Sequence, residues 1–349
     1  MTDRLGRSFL ISGLIFFFLL MLVYGSSIFI PFSVALLIWF LINAAAAGLQ
    51  RLKVGNFRLP RAIAIILALF VTFNFSMLAL DLVVSNISAL SSRAPEFQQS
   101  MNPLIDRAAD LFGMTNADLL NKILDQLGLE RLLTRVLSAT ASFSSQIGTI
   151  SIYVIFLLIE QQFFQLKLRA LIKDEAKRSR VEALLDAISN DIQAYILIMT
   201  FISLITALLS YIAMTYIGLD HAEFWAFIIF ILNFIPTVGS ILSTAFPTLF
   251  ALVQFQDFSG PLKVFILVGL IQFVIGNFLQ PRLAGKTLLM SQLVVVLALF
   301  VWGSIWGIVG MFLAVPIMAV LMIILANFEL TRPAAILMSQ DGRLKQPGL

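Results

Sequence analysis

Long apolar runs separated by short charged connections set the pattern of this chain. They predict membrane spans at about 9–24, 28–49, 62–80, 143–159, 192–217 and 262–279, together with two longer runs, 222–255 and 288–327. At 1.5 Å per residue, single helices of those two lengths would reach about 50 and about 60 Å, against a hydrocarbon core of about 30 Å. They must fold back, tilt steeply or break. Each carries helix breakers near its middle, Phe234-Ile235-Pro236-Thr237-Val238-Gly239-Ser240 in the first and Trp302-Gly303-Ser304-Ile305-Trp306-Gly307 in the second. The predicted fold is therefore all-α: a polytopic helical membrane protein of about eight membrane segments, two of them broken or re-entrant helical hairpins, with small amphipathic extramembrane helices. A matching pair of interrupted segments points to a substrate site near the bilayer midplane.

The same pattern divides the chain. Residues 1–92 form an N-terminal three-helix membrane region, 93–142 an external amphipathic segment, and 143–190 a fourth span with a cytoplasmic amphipathic helix. A C-terminal transport bundle covers 191–328, with the broken segments 222–255 and 288–327, and 329–349 is a cytoplasmic tail. In the external segment, Leu119, Leu120, Ile123, Leu124 and Leu127 recur at helical spacing, interrupted by Pro95, Pro103, Gly113 and Gly128. On the cytoplasmic side, Val181, Leu184, Leu185 and Ile188 form an apolar stripe opposite Glu182, Asp186 and Asn190, which predicts an interfacial helix leading into the fifth span. Arg4 and Arg7 resemble the start of a signal peptide, yet no small-x-small cleavage pattern follows and another span does, so a retained first helix is expected.

Composition sharpens this reading. Apolar residues make up 60%, charged residues 12%, and the mean hydropathy is +0.99, which excludes an ordinary soluble domain. The chain has no cysteine and one histidine, so no disulfide, thiol chemistry, metal site or cofactor is expected. The net charge of +4 is spread over basic loops, which favours anionic lipid as a partner over nucleic acid. Arg51, Lys53, Arg58 and Arg61, and then Lys167, Arg169, Lys173, Lys177, Arg178 and Arg180, fall on one side if both termini are cytoplasmic. A first hairpin that enters and returns also puts Arg282 and Lys286 on that side, at a cytoplasmic mouth where they meet an anionic solute or lipid phosphate.

Polar groups inside the bilayer are costly, which makes each a functional candidate. Asn233 and Asn277 stand beside the first break and near the end of the following span; their amides can bond a solute or cap broken backbone. Pro236 removes a donor and Gly239 permits a tight turn, freeing carbonyls for a polar or ionic solute or simply kinking the helix. Gly303 and Gly307 allow a turn or close helix packing, as does Gly310. Glu160 and Asp191 are the candidate carboxylates for ion coupling, or else solvated helix ends. Thr200, Ser203 and Thr206 place hydroxyls near one face of the fifth span, suited to helix-to-helix bonds or solute lining. His221, between Asp220 and Glu223, reads as an external surface residue.

Three stretches carry a family likeness: Asn233-Phe234-Ile235-Pro236-Thr237-Val238-Gly239-Ser240; Gly276-Asn277-Phe278-Leu279-Gln280-Pro281-Arg282-Leu283-Ala284-Gly285-Lys286; and Gly307-Ile308-Val309-Gly310-Met311-Phe312-Leu313-Ala314-Val315-Pro316. In this order and spacing the chain resembles the autoinducer-2 exporter family of bacterial permeases, and the likeness continues in Pro31-Phe32-Ser33-Val34-Ala35-Leu36 and Leu59-Pro60-Arg61. The resemblance implies a transporter of the cytoplasmic membrane. Some members are described as exporting autoinducer-2 and others as exchanging sodium for protons. Certain relatives carry glutamate where this chain has Gln280, so no proton-linked role carries over to that position, although Gln280 can still hydrogen-bond a polar solute.

The expected function is secondary transport that exports a small polar solute, an autoinducer-2-like signal or related metabolite, driven by a proton or sodium gradient. No Gly-x4-Gly-Lys-Ser/Thr phosphate loop is present to drive it with ATP. The alternative is a sodium(cation)/proton antiporter, which needs a buried carboxylate; 192–328 holds no central Asp or Glu apart from loop residues. An intramembrane hydrolase using Ser240 and His221 fits poorly, because the two would lie at different depths, and no enzyme activity is expected. The amphipathic segments call for partners, so a homo-oligomer is expected.

Overall fold

The computed structural model describes residues 13–14, 16–51, 59–92, 129–284 and 290–344. Most of the external segment, 93–128, and Lys286 lie outside the described residues. Among those described there is no β-strand, only an isolated antiparallel bridge between Met290 and Ser339. The helices are α1 (Ser26–Arg51), α2 (Arg61–Ser92), α3 (Leu129–Glu160), α4 (Phe164–Leu171), α5 (Glu175–Ile217), α6 (Ala222–Leu232), α7 (Val238–Phe255) and α8 (Ser259–Val274). A π-helical turn (Ile275–Leu279) follows, then α9 (Gln280–Ala284), α10 (Gln292–Ala326) and α11 (Arg332–Met338).

Among the described residues six helices are long and apolar enough to cross a membrane, or seven if the bent pair at Ser145–Glu160 and Phe164–Leu171, which meets at 62°, is one span. This is the multi-pass helical architecture that the apolar runs predict. Their faces agree with a lipid solvent: Phe16, Phe17, Ile66, Phe70, Leu204, Leu208, Phe265, Leu270 and Phe300 are all exposed.

The chain divides into two compact units. The first comprises 1–65, 147–197 and 286–349, the second 66–146 and 198–285.

In the first unit, α10 is not one rod. Gly307 inside it has φ 62° and ψ −141°, a region open essentially to glycine alone. The chain reverses there: a Cβ placed on Gly310 would lie 1.9 Å from the Trp302 carbonyl oxygen, and one on Gly303 would lie 2.8 Å from the Met311 side chain. Residues eight apart in a continuous helix are about 12 Å apart along its axis. The arms 292–306 and 308–326 therefore pack antiparallel, and Val295 of one, with Met290 just before it, joins Val315, Met318 and Met322 of the other in a single apolar cluster. Trp306, at the tip, donates its Nε1–H to the Leu22 carbonyl at 3.0 Å and packs with Trp302, Leu313 and Phe29. Elsewhere in this unit Trp39 of α1 donates to Gln161 at 3.0 Å, and Phe40 packs on Ile192 and Ile196 of α5.

The second unit holds the other hairpin, α6 and α7, on a core of Trp225, Ile229, Phe250, Ala251, Val264 and Val268 with Met214 and Val83. Trp225 and Phe250 bring their rings to 5.3 Å across the two arms. At the foot of this hairpin, Gln254 donates to the Gly218 carbonyl at 2.9 Å and accepts the Asp220 N–H at 2.8 Å. One feature differs from the sequence expectation: the amphipathic stretch around 181–190 and the fifth span form one unbroken 43-residue helix, α5. No breaker separates the two, so hydrogen bonding simply continues from one polarity pattern into the next.

Candidate functional site

The break between α6 and α7 is built from five residues, 233–237. Leu232 and Asn233 end the first arm. Pro236 then supplies a carbonyl that accepts the Val238 N–H at 2.6 Å, two residues on. Thr237 between them has φ 64° and ψ −60°. An i to i+2 hydrogen bond around such dihedrals is the strained, φ-positive form of γ-turn. For a β-branched residue this conformation is a true outlier, costing about 1–3 kcal/mol. Strain held in place by its surroundings marks functional segments more often than random loops. Replacing Thr237 by glycine is expected to raise the thermal midpoint of the purified protein by a few degrees while slowing transport, because the same turn becomes relaxed and less defined; thermal unfolding in detergent checks the first half of this expectation.

The arms beyond the turn come into backbone contact. A Cβ on Gly239 would sit 1.8 Å from the Leu232 carbonyl oxygen, so only a hydrogen fits there. Asn233 Nδ2 donates to Ser203 Oγ of α5 at 3.2 Å, the helix-to-helix bond that the hydroxyl face of α5 suits. Thr206, one turn on and fully buried, returns its hydroxyl to the Ile202 carbonyl at 2.8 Å. Thus the break, Asn233, Pro236 and Gly239 stand together with Ser203 in one unit.

Asn277 and Gln280 belong to the same unit at the end of α8. Asn277 lies within the π-helical turn, is exposed, and donates to the Phe273 carbonyl at 2.9 Å. Gln280 is half-buried, with its Nε2 3.9 Å from Met199 Sδ. A single π turn widens the helix and frequently marks a functional site. The sequence carries no signal for it beyond Gly276. Arg282 follows on α9, exposed to its surroundings.

Gly303 and Gly307 fall in the first unit, where they form the tip of the second hairpin. The two carboxylates also lie in that unit and differ sharply. Glu160 is exposed and ion-paired with Lys167. Asp191 is 8% exposed, the one acidic side chain buried among the described residues. Among those residues no group of three His, Cys, Asp or Glu side chains is placed to hold a metal ion. Ser240 donates to the Thr237 carbonyl at 2.9 Å, and His221 Nδ1 lies 2.6 Å from Asn86 Oδ1, so each is engaged away from the other.

Sequence reading missed several side chains in the second unit. Ser210, Ser243 and Gln272 are buried, and Ser210 Oγ, Ser243 Oγ, Gln272 Nε2 and Trp225 Nε1 have no hydrogen-bond partner. Each lies in a predominantly apolar stretch, where composition cannot tell a core-facing position from a lipid-facing one.

A many-span helical protein whose hairpin is broken by a strained turn shares the discontinuous helices found in many membrane transporters. The profile of the AI-2E family transporters matches residues 11–329, and the chain belongs to that family. It is 28% identical over 325 residues to the AI-2 transport protein TqsA of Escherichia coli K12, covering 90% of each chain. It is also 28% identical over 304 residues to a Borreliella burgdorferi protein named "Putative transport protein", covering 87% of this chain and 82% of that one. A third relative of the same name, from Haemophilus influenzae, is 28% identical over 331 residues, 90% of each.

Proposed function

We propose that this transporter exports a small polar solute, an autoinducer-2-like signal or a related metabolite, across the bacterial cytoplasmic membrane, with both termini on the cytoplasmic side. What supports this reading most is the break at 233–237, where a strained γ-turn with Thr237 exposed follows Asn233, whose amide is bonded to Ser203. Irregular backbone is tolerated at membrane depth where it is buried in protein or lines a hydrated cavity, and the exposed Thr237 hydroxyl beside the Asn233 amide offers both acceptors and donors to a hydroxylated solute. The relative whose name specifies AI-2 transport aligns over the whole of this region.

Export is driven by a proton or sodium gradient, with Asp191 as the coupling carboxylate. Its burial sets it apart from Glu160, which is exposed. Arg282 lies at the cytoplasmic mouth.

Purified protein in proteoliposomes, loaded with autoinducer-2 and given an imposed pH or sodium gradient, tests this directly. Wild type should move the solute only with a gradient. Asn233→Ala should lower the rate about tenfold through loss of its hydrogen bond to Ser203, and Asp191→Asn should abolish gradient dependence while leaving exchange. Gradient-independent flux in the wild type would reject the coupling, and an unchanged rate in Asn233→Ala would remove Asn233 from the site.

A further inference from the structure

Among the described residues of the second unit, two of the four unpartnered buried polar atoms, those of Gln272 and Ser243, stand at one level. On α8, Val264, Val268 and Gln272 recur every four residues and form one buried stripe; on α7, Gly239, Ser243 and Pro247 form another. The three-residue link 256–258 makes α7 and α8 antiparallel, and a Cβ on Gly269 would lie 3.6 Å from Thr244 Cγ2, which fixes their register. Moving three residues up α8 and three back along α7 pairs Gln272 with the level of Ile241. Gln272 therefore stands between the levels of Ser240 and Ser243, within about one helical turn, 5.4 Å, of each.

That level is also the first turn after the break, two residues from Gly239. Gln272 is 7% exposed and Ser243 is 0% exposed, yet Gln272 Nε2 and Ser243 Oγ have no partner within the protein. The buried faces of two helices have no reason to carry a glutamine N–H group and a serine hydroxyl unmatched at one level, since each forfeits the hydrogen bonds it makes with water. Groups that must bind and release a cargo are the exception.

We propose that Gln272 and Ser243 form a hydrogen-bonding site for a neutral, hydroxyl- or carbonyl-bearing solute, entered beside the 233–237 break. This rests on the transport reading for its purpose but not for its geometry. The ligand class follows from the donor set. Gln272 Nε2 offers two N–H donors, and the serine hydroxyl both gives and accepts. The described buried polar residues of this unit are Ser203, Thr206, Ser210, Ser243, Thr244 and Gln272, none of them charged. An anion or a bare cation entering here would meet no opposite charge, and its desolvation would go uncompensated. A polyhydroxylated neutral molecule exchanges its water for these groups at little loss.

The absence of cysteine in the sequence makes the test direct. Ser243→Cys, a near-isosteric change, and Val268→Cys, on the same buried stripe of α8, are reconstituted and treated with a neutral hydroxyethyl methanethiosulfonate and with its anionic sulfonatoethyl analogue. Ser243→Cys should react with the neutral reagent about tenfold faster than Val268→Cys, and about tenfold faster than with the anionic one after correction for intrinsic thiol reactivity. Equal rates at the two positions would mean a dry core and end the proposal. Equal rates with both reagents at Ser243→Cys would overturn the neutral ligand class. Gln272→Leu, judged folded by monodisperse elution, should lose about tenfold in autoinducer-2 flux, whereas Gln272→Asn should retain part of it; unaltered flux in both would remove Gln272 from the site. Should the wild type move no autoinducer-2, the transport reading fails on its own and the labelling still decides whether this site exists.

Discussion

Gly239→Ala is expected to abolish transport and to leave little folded protein. The added methyl would stand 1.8 Å from the Leu232 carbonyl oxygen and 2.7 Å from its carbonyl carbon. These are backbone atoms at the close of one arm, so no side-chain rotation relieves the clash; the arms must part. Overpacking of this kind costs about 3 kcal/mol, a large fraction of the stability of a typical domain. Parting the arms also pulls Asn233 away from Ser203 and undoes the γ-turn at Thr237. Gly276→Ala is the matched control, because nothing lies within 4 Å of a Cβ there. Fluorescence-detected size exclusion should show aggregated Gly239→Ala and intact Gly276→Ala. A monodisperse, active Gly239→Ala would mean that the first hairpin does not close as described.

The second large effect concerns the other hairpin. Gly310→Ala would bring a methyl to 1.9 Å from the Trp302 carbonyl oxygen, whereas Gly303→Ala would meet only the Met311 side chain, at 2.8 Å. A methionine has three rotatable bonds and can swing aside. The expected outcome is therefore graded: Gly310→Ala loses transport and lowers the thermal midpoint, and Gly303→Ala keeps both near the wild-type level. If α10 were a single straight helix, the two substitutions would be equally mild, and measuring the pair side by side distinguishes the two geometries.

Most of the architecture was legible in the sequence because apolar run length and breaker position report directly on membrane depth. Pro236 and Gly239 placed the first break within a residue or two, and Gly307 placed the second. Less could be read where a boundary depends on helix propagation. The fourth span was expected to begin at 143, but α3 starts at Leu129, and the interfacial stretch of α5 runs on without interruption. Nothing in 129–142 or 181–191 opposes a helix, so the polarity change did not coincide with a structural one. The π turn at Ile275–Leu279 was invisible for a related reason: π and α turns draw on the same residue types, and the choice is made by tertiary packing. Of the polar side chains, Asn233 announced itself by standing next to a break. Gln272 and Ser243 did not, because in a membrane helix the apolar residues surrounding a polar one look the same whether they face lipid or protein.

Beyond the second hairpin, the chain doubles back through α11. Ser291 donates its N–H to the Met338 carbonyl at 2.9 Å, next to the bridge between Met290 and Ser339. The mouth of the hairpin is thereby clasped by the chain that follows it, while Trp306 pins the apex to Leu22. A loop fastened at both ends cannot dissipate a push by splaying its legs. Any displacement delivered to one leg is passed whole to the other, which turns the 35 residues of α10 into a single lever.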